Sequence, residues 1–198
     1  MTIDVQEKVA DQVRLNRVRK GDEEAFEKFF KAYNAYLTNF AWQFLGSRAI
    51  AEELVQDLFA DIWENRETWP CVGELRPYLY RIIKEKCLNC LKRQKIRNKY
   101  DGQWMEQWGS ASNAFDEHER DQEARMVSRI VFNAVENLPY RSKITYKLNK
   151  YDGLTYPEIA VVMNLPLKTV ESRMARALKL LRQRLAYLGP FIIAVVFV

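Results

Sequence analysis

Apolar residues recur at steps of three and four along most of the chain, and no period-two alternation persists long enough to make a strand. That spacing confines the fold to helices. Only seven Gly and six Pro interrupt it, so the breaks are few and can be located one by one. Asp22 after Gly21 reads as the N-cap of a helix with Phe26, Phe29, Phe30, Tyr33, Leu37, Phe40 and Phe44 on one stripe. Gly46-Ser47 ends it. Ile50, Leu54, Leu58 and Ile62, with Val55, Phe59 and Trp63 beside them, mark a second helix, whose other face carries Glu52, Glu53, Gln56, Asp57, Asp61 and Glu64. A loop with Trp69-Pro70 and Gly73 spans 67–74. Pro77 then sits in a first helical turn, and Leu79, Ile82, Ile83, Cys87 and Leu91 lead into the basic run Lys92-Arg93-Gln94-Lys95.

Periodicity fails between Tyr100 and Glu119, where Gly, Ser, Asn and acids gather, and this stretch reads as a linker. It resumes at Met126, Ile130, Ala134 and Leu138. Pro139 opens a short helix that Asp152-Gly153 closes. Thr155-Tyr156-Pro157-Glu158 has the form of a capping box. The short helix it starts stops at Asn164-Leu165-Pro166, and Val170, Met174, Ala177, Leu178, Leu181 and Leu185 define a longer one. Short helix, tight turn and long basic helix make the helix-turn-helix pattern. Opposite the second apolar stripe lie Lys168, Thr169, Ser172, Arg173 and Arg176, side chains able to reach phosphates and base edges in a major groove. The expected fold is therefore all-α, with two helical domains joined by a linker and a helix-turn-helix in the second.

Charge follows the same division. The net charge of +5 conceals blocks: 22–75 holds 4 basic and 11 acidic residues, and 76–99 holds 9 basic and one acidic. The linker stretch 100–124 has one basic and 7 acidic, and 125–187 has 12 basic and 4 acidic. Two basic blocks on two units suit two contacts with one polyanion. One His, no Gly-rich phosphate loop and no metal-ligand cluster leave little for catalysis. Cys87 and Cys90 with Cys71 and His118 make a poor zinc set, since the pair lies within a helical stripe. Neither a metal, a cofactor nor a small-molecule substrate is expected. Three Cys without a signal peptide point to a reducing cytoplasm. The longest apolar run, Phe191 to Val198, is shorter than the roughly 20 residues of a spanning helix.

Leu138-Pro139 followed by YDGLTYPEIAVVMNLPLKTVESRMARALKLLRQRL resembles the promoter-reading C-terminal domain of bacterial sigma factors. GDEEAFEKFFKAY, AEELVQDLFADIWEN and LYRIIKEKCLNCLKRQK are similar, in order, to the sigma-two domain. Four blocks in the expected order resemble an extracytoplasmic-function sigma factor, the compact type with sigma-two and sigma-four domains only. The resemblance implies a sigma-two domain over 1–99, a linker over 100–122, a sigma-four domain over 123–187 and an apolar tail over 188–198. It implies that Glu53, Gln56, Asp57 and Asp61 dock on the beta-prime clamp helices of core RNA polymerase. It further implies −10 promoter contacts by Trp69, Arg81, Lys84, Lys86, Asn89, Lys92 and Arg93, with the loop before them capturing an extruded base. The −35 contacts fall to Lys168, Thr169, Ser172, Arg173 and Arg176. An inhibitory anti-sigma factor, often membrane-anchored in such systems, is the other expected partner.

The sequence departs from the family pattern in places. Glu85 stands where Asn is common, and Asn164 and Pro166 replace a frequent Gly and Ser in the helix-turn-helix turn. Asn tolerates the left-handed backbone that such a turn needs, whereas Pro supplies no side-chain cap. The competing reading is a helix-turn-helix regulator acting without core polymerase. A response regulator would need alternating strands and helices in its receiver, and a membrane adaptor would leave both basic blocks unexplained.

Overall fold

The computed structural model describes residues 2–70, 74–100 and 122–186, and these contain eight helices and no strand. Helices α1 (Thr2–Arg19), α2 (Glu23–Leu45), α3 (Arg48–Glu64) and α4 (Leu75–Tyr100) form one compact unit. A second contains α5 (Gln122–Glu136), α6 (Tyr140–Lys150), α7 (Tyr156–Met163) and α8 (Leu167–Leu185). Most of the linker and the whole apolar tail lie outside the described residues, as do Cys71 and His118.

In the first unit the caps set the helix boundaries. The Asp22 carboxylate accepts from the Ala25 amide at 2.9 Å, which satisfies one of the amides left free by a helix start. Gly46, at φ 68°, closes α2 in the left-handed conformation, and Ser47 caps α3. The helices bury Phe29, Leu37 and Phe40 of α2 against Val55, Leu58 and Ile62 of α3 and Leu79, Tyr80 and Ile83 of α4. Rings interlock across these elements. Phe59 receives Phe30 at 4.8 Å and Phe29 at 5.5 Å, and Phe40 meets Tyr80 at 5.0 Å, which adds edge-to-face attraction to burial. Helix α1, absent from the sequence reading, docks here through buried Leu15 and Val18 and through a hydrogen bond from the Tyr33 hydroxyl to Asp11. Arg17 pairs with Asp22 at 2.7 Å, tying the end of α1 to the start of α2.

The second unit closes over Ala134, Val135, Leu138, Tyr146, Met174, Ala177, Leu181 and Leu185. Here the α6 segment Ile144–Leu148 is buried on every side, Lys147 included. The Lys147 ammonium lies 2.5 Å from Glu136 of α5, and Lys143 reaches the same carboxylate at 3.3 Å. A buried cation requires such a partner. No described helix is long and apolar enough to cross a membrane.

Candidate nucleic-acid interfaces

The helix-turn-helix forms as its local chemistry dictates. Thr155 and Glu158 bond reciprocally: the Thr155 amide donates to the Glu158 carboxylate at 2.7 Å, and the Glu158 amide donates to the Thr155 hydroxyl at 3.4 Å. Helix α7 ends at Asn164, which takes the left-handed conformation at φ 53°. The Leu165 amide there bonds back to the Ala160 carbonyl at 2.9 Å. Pro166 gives no side-chain cap, and α8 begins at Leu167.

Helix α8 buries Val170, Met174, Ala177, Leu181 and Leu185. The helical period then turns Lys168, Ser172 and Arg176 outward, all exposed, with Thr169 and Arg173 half-buried at the edge. All five expected −35 residues thus lie on or beside one face. The structure adds two cations that the sequence reading omitted. Lys179 is exposed on the same face, one turn beyond Arg176. Arg141, from the first turn of α6, stands near enough to Arg173 to act on its charge. Burial, and secondarily this repulsion, holds the Arg173 guanidinium below its usual pKa. Two neighbouring cations strengthen the positive potential beside α8.

In the first unit the expected polymerase residues Glu53, Gln56, Asp57 and Asp61 are all exposed along α3. The apolar side of the same helix is in the core. On α4, Arg81, Asn89, Lys92 and Arg93 are exposed, whereas Lys84 and Lys86 are half-buried. Burial lowers the Lys84 pKa, and the neighbouring Glu85 charge opposes that shift. Lys86 turns toward α3 and pairs with Asp61 at 2.8 Å. One residue expected at DNA and one expected at polymerase therefore hold each other across two helices.

Trp69 closes a turn in which its amide bonds to the Asn65 carbonyl at 2.9 Å. Its ring meets Tyr78 edge-on at 6.1 Å, and the Arg81 guanidinium lies 5.5 Å from the Tyr78 ring centre. The Trp69 indole N–H is shielded from solvent and finds no acceptor among the described residues. An aromatic pair and a cation thus gather beside the first turns of α4. Such a group offers a flat surface for stacking with a base.

No three His, Cys, Asp or Glu side chains cluster in metal-binding fashion among the described residues. Cys87 is buried in the core, and burial pushes its thiol up to about 12. It packs as a small apolar side chain and makes a poor thiolate ligand.

Comparison with known proteins parallels this layout. Residues 29–96 match the family described as Sigma-70 region 2, and residues 128–181 match Sigma-70, region 4. The ECF RNA polymerase sigma-E factor of Haemophilus influenzae is 27% identical over 184 residues, covering 90% of this chain and 97% of that protein. The protein of the same description from Escherichia coli (strain K12) is 29% identical over 176 residues, covering 86% and 92%. Two solved structures share the fold. CnrH in complex with the cytosolic domain of CnrY aligns with a TM-score of 0.56 at 22% identity, covering 90% of this chain and 98% of that one. The sigma factor RpoE in complex with the anti-sigma factor NepR from Bartonella quintana aligns with a TM-score of 0.60 at 20% identity, covering 81% and 96%.

Proposed function

Because the chain belongs to the sigma-70 family, as a sigma factor of the extracytoplasmic-function type, we propose a division of labour between its two units. As a sigma factor it binds core RNA polymerase and directs promoter-specific initiation, with no enzymatic chemistry of its own. In our reading, residues 1–99 dock on polymerase and hold the −10 element, 100–122 connect, and 123–187 hold the −35 element.

The observation that carries this reading is the placement of acid and base on separate faces. Exposed Glu53, Gln56, Asp57 and Asp61 on α3 offer an acidic strip for the beta-prime clamp helices. The adjacent α4 presents Arg81, Asn89, Lys92 and Arg93, with Lys84 and Lys86 beside them, to the −10 strand. Trp69 supplies the stacking surface for an extruded base. On α8, Lys168, Thr169, Ser172, Arg173 and Arg176 face the −35 groove, with Arg141 and Lys179 as further phosphate contacts. Lys and Arg neutralise phosphates without demanding exact geometry, whereas an Arg meeting guanine in bidentate fashion gives base selection.

An anti-sigma factor is the partner we propose for the resting state, acting in the cytoplasm by covering α3, α4 and α8. The Bartonella relative was solved with such a factor, which supports the assignment.

Separation of function tests the scheme. Asp57→Arg should lower affinity for core polymerase in a salt-dependent manner, since reversing a rim charge chiefly slows association. It should leave −35 duplex binding by the second unit unchanged. Arg173→Ala with Arg176→Ala should do the reverse, costing about 1–3 kcal/mol at one or two base positions. If both variants lose core affinity equally, or neither loses its assigned contact, the division is wrong.

A further inference from the structure

Between Arg76 and Lys99, α4 carries nine cations and a single anion, Glu85. The structure leaves that anion exposed on the outward side of the helix. Residues four apart share a face, so Arg81 and Asn89 flank Glu85 on one strip, and Lys92 follows a turn later. Of the nearby cations, Arg81 lies over Tyr78, Lys86 pairs with Asp61, and half-buried Lys84 feels the Glu85 charge. Glu85 lies outside the buried core of the first unit. A carboxylate here repels the phosphates that the strip attracts, and a carboxylate only accepts hydrogen bonds. DNA satisfies it with an exocyclic amino group. Cytosine N4 is the usual donor to Glu, adenine and guanine also carry amino groups, and thymine carries none.

We propose that Glu85 is a specificity-determining residue that accepts a hydrogen bond from the exocyclic amino group of one promoter base in the −10 element. This rests on the reading of α4 as the −10 face. On that face the surrounding cations supply affinity for any sequence, and Glu85 removes it wherever the facing base cannot donate. Discrimination then comes from unfavourable contact with the wrong base as much as from attraction to the right one.

The test is transcription by holoenzyme assembled with wild-type chain, Glu85→Ala, Glu85→Gln or Glu85→Lys, on a promoter library randomised across the −10 element. Exposed substitutions of this kind leave folding nearly unchanged, and core binding by each variant confirms it. Wild type should prefer an amino-bearing base at one position by roughly 5- to 150-fold. E85A should reduce that preference to about twofold or less, leaving other positions alone. E85Q, which both donates and accepts, should shift the preference toward adenine. E85K should bind all sequences more tightly, with a steeper salt dependence. An unchanged base profile in E85A, or loss of a preference for thymine, overturns the assignment while the −10 reading of α4 stands. A wild-type holoenzyme with no positional preference anywhere in the −10 library overturns both.

Discussion

Glu136→Gln should loosen the second unit far more than its partial exposure suggests. The Glu136 carboxylate faces two cations, Lys147 at 2.5 Å and Lys143 at 3.3 Å. The Lys147 side chain is only 4% exposed and Glu136 19%. Removing one partner of a buried pair costs about 3–5 kcal/mol, and the solvent reaching Glu136 favours the lower end, about 3 kcal/mol. Lys143, more open to solvent, can redirect its ammonium to water, whereas Lys147 cannot. Hydrogen exchange read by mass spectrometry measures the loss locally. Amides of α6 over 144–148 should exchange roughly 150-fold faster in E136Q, while those of α3 over 55–59, in the other unit, keep their wild-type rates. Adding Lys147→Met removes the stranded charge and should restore most of the protection. Acceleration of less than about fivefold, the scale of an exposed pair, would refute the claim that Lys147 depends on Glu136.

Other consequences follow from single contacts. Arg141→Ala should weaken −35 duplex binding equally across sequences and reduce the salt slope by about one; a base-specific effect in a binding titration would contradict its role as a phosphate contact. The Asp61–Lys86 pair is partly exposed, so a double-mutant cycle of Asp61→Asn and Lys86→Met, read by thermal unfolding, should give a coupling of about 0.2–1 kcal/mol, and zero coupling would show that the bridge contributes nothing. The Ala25 amide, and next the Arg17 guanidinium, hold Asp22 below its ordinary carboxyl value. Its contribution to stability is therefore complete above that ordinary value and is lost as pH falls through the lowered one. Asp22→Asn should flatten this part of an acid-unfolding curve, and an identical curve in the variant would remove Asp22 as its source.

Seven of the eight described helices were legible because their apolar stripes keep a helical period, and three of them start at a side-chain cap. Asp22, Ser47 and the Thr155–Glu158 box each do what their residue types imply. Asn164 adopts the left-handed turn, and Pro166 leaves α8 without a side-chain cap, both as the residue chemistry requires. Helix α1 escaped because its stripe is broken: Val13 is 56% exposed while Leu15 and Val18 are buried. It docks partly through polar ties, Asp11 to Tyr33 and Arg17 to Asp22, which periodicity does not reveal.

The same limit applies to the candidate interfaces. A helical period tells which residues share a face, so the exposed strips of α3 and α8 could be read directly, whereas the α4 set came from the family resemblance and two of its members, Lys84 and Lys86, are half-buried. It does not tell which faces meet across helices. Lys86 with Asp61 and Arg141 near Arg173 join residues far apart in sequence, and nothing local announces either pair. Lys147 is the sharpest case, since a lysine between Tyr146 and Leu148 reads as solvent-facing until packing encloses it.

The central claim is that this chain gives core RNA polymerase a choice of promoter. The direct measurement is in vitro transcription by bacterial core polymerase on a genomic fragment library, with and without the purified chain, mapping RNA 5′ ends. The account predicts new start sites only when both are present, preceded by shared −35 and −10 elements at constant spacing. Start sites unchanged by the chain, or new start sites that share no −35 and −10 elements, would contradict it.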